Sequence, residues 1–232
     1  NMDRLASTYM DELANGQLFN LSMSETGHIR LTDQPRVINC MNMALLRLFT
    51  LLKLRENEAT IICQTHITDY KLDSKYSIMH GDPAIPYRYI FDPFHKFSND
   101  VIKVISVFDD DGRDRPLNNY RNPFAVFTPN PTTIQIPVVV QDEPVTVRYQ
   151  ATHPKLVNGN SIISLGATNL DLPFTSLVSY FIFMGIGSPE AIQQAGLYAQ
   201  EATKLIEEMK LQGHYIDDGY DESRDFYYKG WR

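Results

Sequence analysis

Residues Asp171–Gly213 read DLPFTSLVSYFIFMGIGSPEAIQQAGLYAQEATKLIEEMKLQG, and the reading of this stretch decides the fold. It predicts a helical hairpin. Asp171 and Ser188 stand at N-cap positions, where a side-chain oxygen accepts from an otherwise orphaned amide of the first turn. Pro173 and Pro189 follow inside those turns, where proline's fixed φ and missing N–H cost little. In the first arm Phe174, Leu177, Val178, Phe181, Ile182 and Met184 recur near helical spacing, and in the second Ile192, Ala195, Ala199, Ala202, Ile206 and Met209 trace one face. Such periodicity marks helices that bury a stripe on a core. Gln194, Glu201, Lys204, Glu207, Glu208 and Lys210 then face water. Gly185–Ser188 supplies the turn and Gly213 stands as a C′ glycine.

Toward the N-terminus, Leu5, Tyr9 and Leu13 predict a short amphipathic helix that stops at Asn15-Gly16. The strongest helix of the first half opens at Thr32 or Asp33 with Pro35 in its first turn. Its stripe is Val37, Met41, Leu45, Leu48 and Leu52, and Leu46 and Phe49 widen it toward burial on more than one side.

From Asn57 the period falls to two. Ala59–Thr65, Val101–Phe108, Phe124–Phe127, Thr132–Pro137 and Val145–Tyr149 are strand candidates, punctuated by Asp109-Asp110-Asp111-Gly112 and by Gln141–Pro144. Residues 70–99 hold no sustained period and are expected to form an ordered, irregular excursion anchored by Tyr87, Tyr89, Phe91, Phe94 and Phe97. The fold class read from this pattern is α+β. A helical core is assembled from an N-terminal part (1–56) and the hairpin (165–213), with a small antiparallel β-module (57–164) inserted between them. An extended arm (214–232) ends the chain.

That arm carries six aromatic residues in nineteen: Tyr215, Tyr220, Phe226, Tyr227, Tyr228 and Trp231. With Arg232, they are the residue types that anchor protein interfaces, and the segment lacks the aliphatic residues to close a core of its own. It reads as a docking arm for a partner rather than a plain tail.

A net charge of −7 argues against wrapping nucleic acid, which requires an excess of Lys and Arg, while leaving room for a repulsive surface past which DNA slides. Cys40 and Cys63 have no metal-ligand spacing and read as reduced core thiols of an intracellular protein. No basic, apolar leader opens the chain, and the apolar run Ser176–Ile186 is too short for a bilayer, so no membrane anchor is expected.

Chemistry is thinly signalled. If Gly112 were the sixth position of a calcium loop, the first ligand would be Val107 and the twelfth Asn118, neither of which fits. A hairpin turn is the reading there, with Asp109, Asp110, Asp111 and Asp114 as an acidic tip. Gly185-Ile-Gly187 lacks the third glycine of a dinucleotide fingerprint. His28, His66, His80, His95, His153 and His214 are dispersed, and neither a P-loop, a zincin helix nor a nucleophile elbow is present. A Ser/His/Asp triad could assemble only from distant positions, with no set favoured. No enzyme activity, catalytic residue, metal or cofactor is expected.

Taken in order, four phrases resemble the head-to-tail adaptor (connector) proteins of tailed bacteriophages, the short-tailed ones above all. They are Arg36–Thr50 with its continuation Leu54–Ile61, Val101–Asn118, Val145–Leu156, and the hairpin opening Leu170-Asp-Leu-Pro with its Gly-Ser-Pro-Glu turn. The resemblance covers most of the chain and excludes 70–99. It implies a ring homo-oligomer, commonly of twelve copies, in the virion at the portal–tail vertex and assembled in the host cytoplasm. The ring bridges the portal protein to a tail tube or nozzle protein and continues the channel through which DNA passes. Helices pack side by side around such rings, and the C-terminal segment, here 214–232, docks on the portal. The acidic tip is then a candidate for the lumen or a partner-facing edge. The alternatives are another tail ring, stopper or tube protein, and a carbohydrate- or receptor-binding module prompted by the aromatic-rich β-module.

Overall fold

Four α-helices and thirteen short strands make up the regular structure of the described residues, so the class is α+β. The computed structural model describes residues 3–18, 24, 25, 27–79, 87–92, 97–166 and 168–211. The chain divides into two compact units, one of Asn1–Leu54 with Lys155–Arg232 and the other of Arg55–Pro154.

The first unit opens with β1 (Arg4–Leu5), α1 (Ala6–Asn15), the hairpin strands β2 (Ser24–Glu25) and β3 (His28–Ile29), and α2 (Gln34–Leu51). Helix α1 buries Tyr9, Met10 and Leu13, and its end is marked by Gly16, whose amide returns to the Glu12 and Leu13 carbonyls. The β2–β3 hairpin is fastened to α1 by Asn15, whose Nδ2 donates to the carbonyls of Asp11 (2.8 Å) and Gly27 (3.0 Å). A side chain at Gly27 would collide with that amide, its Cβ falling 2.6 Å from Asn15 Oδ1. Helix α2 is preceded by Asp33, which makes no side-chain cap bond, and buries Val37, Met41, Leu45 and Leu48 together with Ile38, Ala44 and Phe49. The widening is therefore on the Phe49 side only, since Leu46 is 52% exposed.

In the second unit the strands run β4 (Glu56–Ile62), β5 (Asp69–Lys71), β6 (Ser77–Met79), β7 (Ile90–Asp92), β8 (Val101–Phe108), β9 (Asp114–Arg115), β10 (Phe127–Asn130), β11 (Thr133–Gln135) and β12 (Pro144–Ala151). The main sheet is ordered β6-β7-β4-β12-β8-β9, with β5, β11 and β10 forming a second, three-stranded sheet. Strand β12 is central: Val147 stands opposite Ala59 on one side and Val107 on the other, in antiparallel ladders. Alternate β12 residues Val145, Val147 and Tyr149 are buried with Ile61, Tyr70, Ile90, Val107 and Ile134 in one core, as a half-buried antiparallel sheet requires. Part of the supposed irregular excursion is sheet. Residues 77–79 and 90–92 pair in parallel, an arrangement too short to declare a period in the sequence. Tyr89 and Phe97 anchor it as read, but Tyr87 is 56% exposed, and Phe94 lies outside the described residues.

The chain then returns to the first unit through β13 (Ile162–Ile163), which pairs with β1 so that Leu5 faces Ile162. The second compact unit ends at Pro154, and the strand after it joins the chain's beginning. Helix α3 (Asp171–Ile186) packs against α2 and against α4 (Pro189–Leu211). Gly187, at φ 76°, closes α3 in the left-handed conformation, which glycine adopts without a Cβ penalty. Ser188 caps α4, its Oγ accepting from the Ala191 amide at 3.2 Å. Gly185 belongs to the last turn of α3, so the link is Gly187–Ser188 alone. Gly213 lies outside the described residues.

Two face assignments shift. On α3 Phe183 is buried and Met184 is 45% exposed, and on α4 Ala191 is buried while Ile192 is 49% exposed. Nearly every α3 side chain is apolar or small, so its sequence does not select a face. Alanine-rich α4 fits two neighbouring registers equally well.

Candidate functional site

The docking residues expected at Tyr215, Tyr220, Phe226, Tyr227, Tyr228, Trp231 and Arg232 lie outside the described residues. The acidic tip falls inside them. Asp109 closes the turn between β8 and β9: its backbone pairs with Arg113, its Oδ1 accepts from the Arg113 amide at 2.7 Å, and Gly112 takes φ 74°. Asp111 pairs with Arg113 at 3.2 Å, and Asp110, Asp111 and Asp114 are exposed. Asp109 is thus a structural residue of the turn, and Asp111 shares its charge with Arg113. Among the described residues no group of three or more His, Cys, Asp or Glu side chains is arranged to hold a metal ion.

Beyond that tip the chain builds an aromatic loop that the sequence reading passed over. Asn118, at φ 52°, exchanges hydrogen bonds with Thr128 (2.9 Å each way), while Asn119 and Asn122 accept from the amides of Arg121 and Phe124. This asparagine framework displays Tyr120 at 90% exposure and Phe124 at 61%, with the Tyr120 ring 4.9 Å from that of Phe127. The signal was present in Asn118-Asn-Tyr-Arg-Asn-Pro-Phe124: turn formers bracketing two aromatics. Exposed rings on a hydrogen-bonded loop offer a stacking platform at low ordering cost.

In the first unit a polar knot ties α1 to α3. Tyr9 Oη donates to Asp171 Oδ1 at 2.5 Å, and Arg4 reaches Asp171 Oδ2 at 3.1 Å while pairing with Glu12 and covering the Tyr9 ring at 4.3 Å. Asp171 is therefore not a capping residue; its carboxylate is spent on this contact, and Leu170 precedes the helix. Burial, and after it the Asp171 carboxylate, hold the Tyr9 phenol far above its ordinary range.

A Ser/His/Asp set does gather, at a cavity of about 270 Å³ lined by Ser7, Met10, Asp11, His28, Ile29 and Gln34 among others. His28 Nδ1 lies 2.8 Å from Asp11 Oδ1, with the two side chains 70% and 46% exposed. Ser7 is tied through its amide to the Gly159 carbonyl at 2.9 Å. The pair clamps the β2–β3 hairpin beside α1, in solvent that screens its charge.

In the second unit Arg115 and Glu143 form an ion pair with side chains only 11% and 12% exposed. Next to it the Cys63 thiol is pushed up to about 11, by burial and then by Glu143. Cys40 and Cys63 are both free and buried.

Exposed apolar side chains on the helices include Met43 and Leu46 on α2, Leu172 and Met184 on α3, and Ile192 and Leu197 on α4. No described helix is long and apolar enough to cross a membrane. Compared with known proteins, the chain matches no family model and no curated protein sequence.

Proposed function

We propose that this chain is a virion structural protein, a head-to-tail adaptor whose copies form a ring between the portal and the tail. The observation that carries the proposal is the set of exposed apolar side chains on α2, α3 and α4, which neighbouring copies in a ring would cover. A subunit that closes a ring must present two different faces to two neighbours. On this reading the helices form the body of the ring and 214–232 is the extended arm that docks on the portal. Asp110, Asp111 and Asp114 face the DNA channel or an adjoining protein. The four sequence phrases that resemble connector proteins support the same assignment. The partners are other copies of the chain, the portal protein, and a tail tube or nozzle protein, with DNA only passing through.

Electron microscopy of the purified protein, alone and mixed with portal-bearing capsids, tests the proposal: rings seated at the portal vertex are expected, and monomers in both samples would defeat it. A second reading, a carbohydrate- or receptor-binding module, draws on the Tyr120 and Phe124 platform. Saturable glycan binding by calorimetry, abolished by Tyr120→Ser, would favour it over the ring.

A further inference from the structure

Helices α2 and α4 flank α3 and differ in charge. The α2 sequence holds Arg36 and Arg47 and no acidic residue, whereas α4 holds Glu190, Glu201, Glu207 and Glu208 against Lys204 and Lys210. Each also exposes apolar side chains amid those charges, Met43 at 41% on α2 and Leu197 at 55% on α4. The spacing matches as well. Arg36, Met43 and Arg47 are separated by seven and four positions, and so are Glu190, Leu197 and Glu201. All six are exposed, and on an α-helix those intervals fall along one stripe.

The first turns of the two helices also meet the same end of α3. Arg36 in the first turn of α2 lies against the last turn of α3, its Nη2 2.9 Å from where a Cβ on Gly185 would stand. The Gly187–Ser188 link brings the first turn of α4 back to that same end of α3. Both α2 and α4 therefore begin beside the last turn of α3. Copies repeated side by side so that these ends stay level bring the start of α2 on one copy beside the start of α4 on the next. This arrangement sets cation, apolar and cation opposite acid, apolar and acid.

We propose that the exposed stripe of α2 binds the exposed stripe of α4 on a second copy of this chain, with Arg36 meeting Glu190, Met43 meeting Leu197 and Arg47 meeting Glu201. The proposal rests on the ring reading above and names the two surfaces that form its contact. Because the stripes differ, the contact is heterologous, and repeating it leads around a ring rather than to a closed pair. Glu201 Oε2 accepts from Ser176 Oγ of α3 at 2.9 Å, which fixes one carboxylate oxygen while the residue stays exposed. Ion pairs at a solvated rim set register and partner choice more than affinity, so the contact weakens as salt rises.

Charge reversal tests it. Arg47→Glu and Glu201→Arg are each expected to lose rings by native mass spectrometry and electron microscopy while keeping the wild-type circular dichroism, with association weakened by about tenfold or more from like-charge juxtaposition. An equimolar mixture of the two is expected to regain rings, since alternating copies restore opposite charges at every contact. Independently, Met43→Cys combined with Leu197→Cys is expected to give a ladder of oxidised multimers, and neither single change is expected to do so. If wild type forms rings and both charge-reversed proteins do too, or if the double-cysteine protein stays monomeric within its rings, the pairing is overturned and the ring reading stands. A wild type that never oligomerises, alone or on portal-bearing capsids, overturns both.

Discussion

Tyr9 Oη meets Asp171 Oδ1 at 2.5 Å across 162 positions of chain, and the bond joins the N-terminal helix to the first turn of the hairpin. The Tyr9 ring packs edge-on against Phe174 at 5.1 Å, so apolar and polar contacts converge on the same two helices. Tyr9→Phe keeps the ring and removes the donor, leaving Asp171 with Arg4 alone. A loss of about 1–2 kcal/mol is expected by urea denaturation. Asp171→Ala should cost more than Tyr9→Phe, because it leaves the buried phenol without its acceptor and removes one of the two carboxylates that hold Arg4. Equal or smaller loss would show that Asp171 acts only through helix-terminal charge.

The Arg115–Glu143 pair predicts a different asymmetry. With both side chains nearly out of solvent, removing one partner leaves a buried charge unpaired. Arg115→Met alone is expected to cost about 3–5 kcal/mol, whereas Arg115→Met with Glu143→Leu should recover most of it. Thermal unfolding of the two variants separates a necessary pair from a replaceable one.

Stability should fall at both ends of the pH scale, for opposite reasons. Tyr70 is raised from 10.0 to about 12 and Cys63 from 9.0 to about 11, burial being the main cause in each. Burial likewise lifts Tyr9, Tyr89 and Tyr149. Groups that hold their protons longer when folded contribute stability that is complete below their unfolded pKa and is lost as pH rises through the folded one. The loss therefore begins near pH 9 with Cys63 and deepens through pH 12. His153 runs the other way: burial lowers its pKa below 6.5, so its contribution is present above that value and is lost on acidification. Cys63→Ala should flatten the start of the alkaline limb, and His153→Gln should reduce the acid slope below pH 6.5. Denaturation midpoints measured across pH in both variants check the two signs.

The hairpin turn rests on one dihedral. A Cβ at Gly187 would meet no other atom within 4 Å, so a substitution there is opposed by backbone strain at φ 76° and not by crowding. Gly187→Ala is expected to cost about 1–2 kcal/mol and Gly187→Asn less, since asparagine tolerates this region. Gly185→Ala differs, because the new methyl would press on the Arg36 guanidinium, the mobile end of a long side chain. That change should be tolerated in stability, and the comparison distinguishes the turn residue from the helical one.

What was legible in the chain followed from local physics. The α2 stripe through Val37, Met41, Leu45 and Leu48, the Ser188 cap and the Asp109–Gly112 turn depend on neighbours a few positions away. What was not legible depends on distant ones. Asp171 looked like a cap because its partners, Tyr9 and Arg4, are remote in sequence. Ser77–Met79 gave no strand signal because three residues paired in parallel with Ile90–Asp92 complete no period. The outward faces of Ile192 and Met184 are not set by local pattern, because their helices are apolar or alanine-rich on more than one side and tertiary packing makes the choice.

Removal of residues 214–232 separates folding from docking. The segment holds six aromatic residues and almost no aliphatic ones, a composition suited to an interface anchor. Among the described residues, α1, α2, α3 and α4 bury a core of side chains such as Tyr9, Met41, Phe174 and Ile206. A protein truncated after Gly213 should therefore keep its helical circular dichroism and cooperative unfolding, and lose the ability to join portal-bearing capsids in a pull-down. Several arms acting together on one ring make that loss steep, since linked weak contacts multiply. Replacing Tyr227, Tyr228 and Trp231 by serine in the full-length chain should weaken joining in the same direction. Undiminished joining by the truncated protein would assign the portal contact to the body of the subunit and leave the aromatic arm without that role.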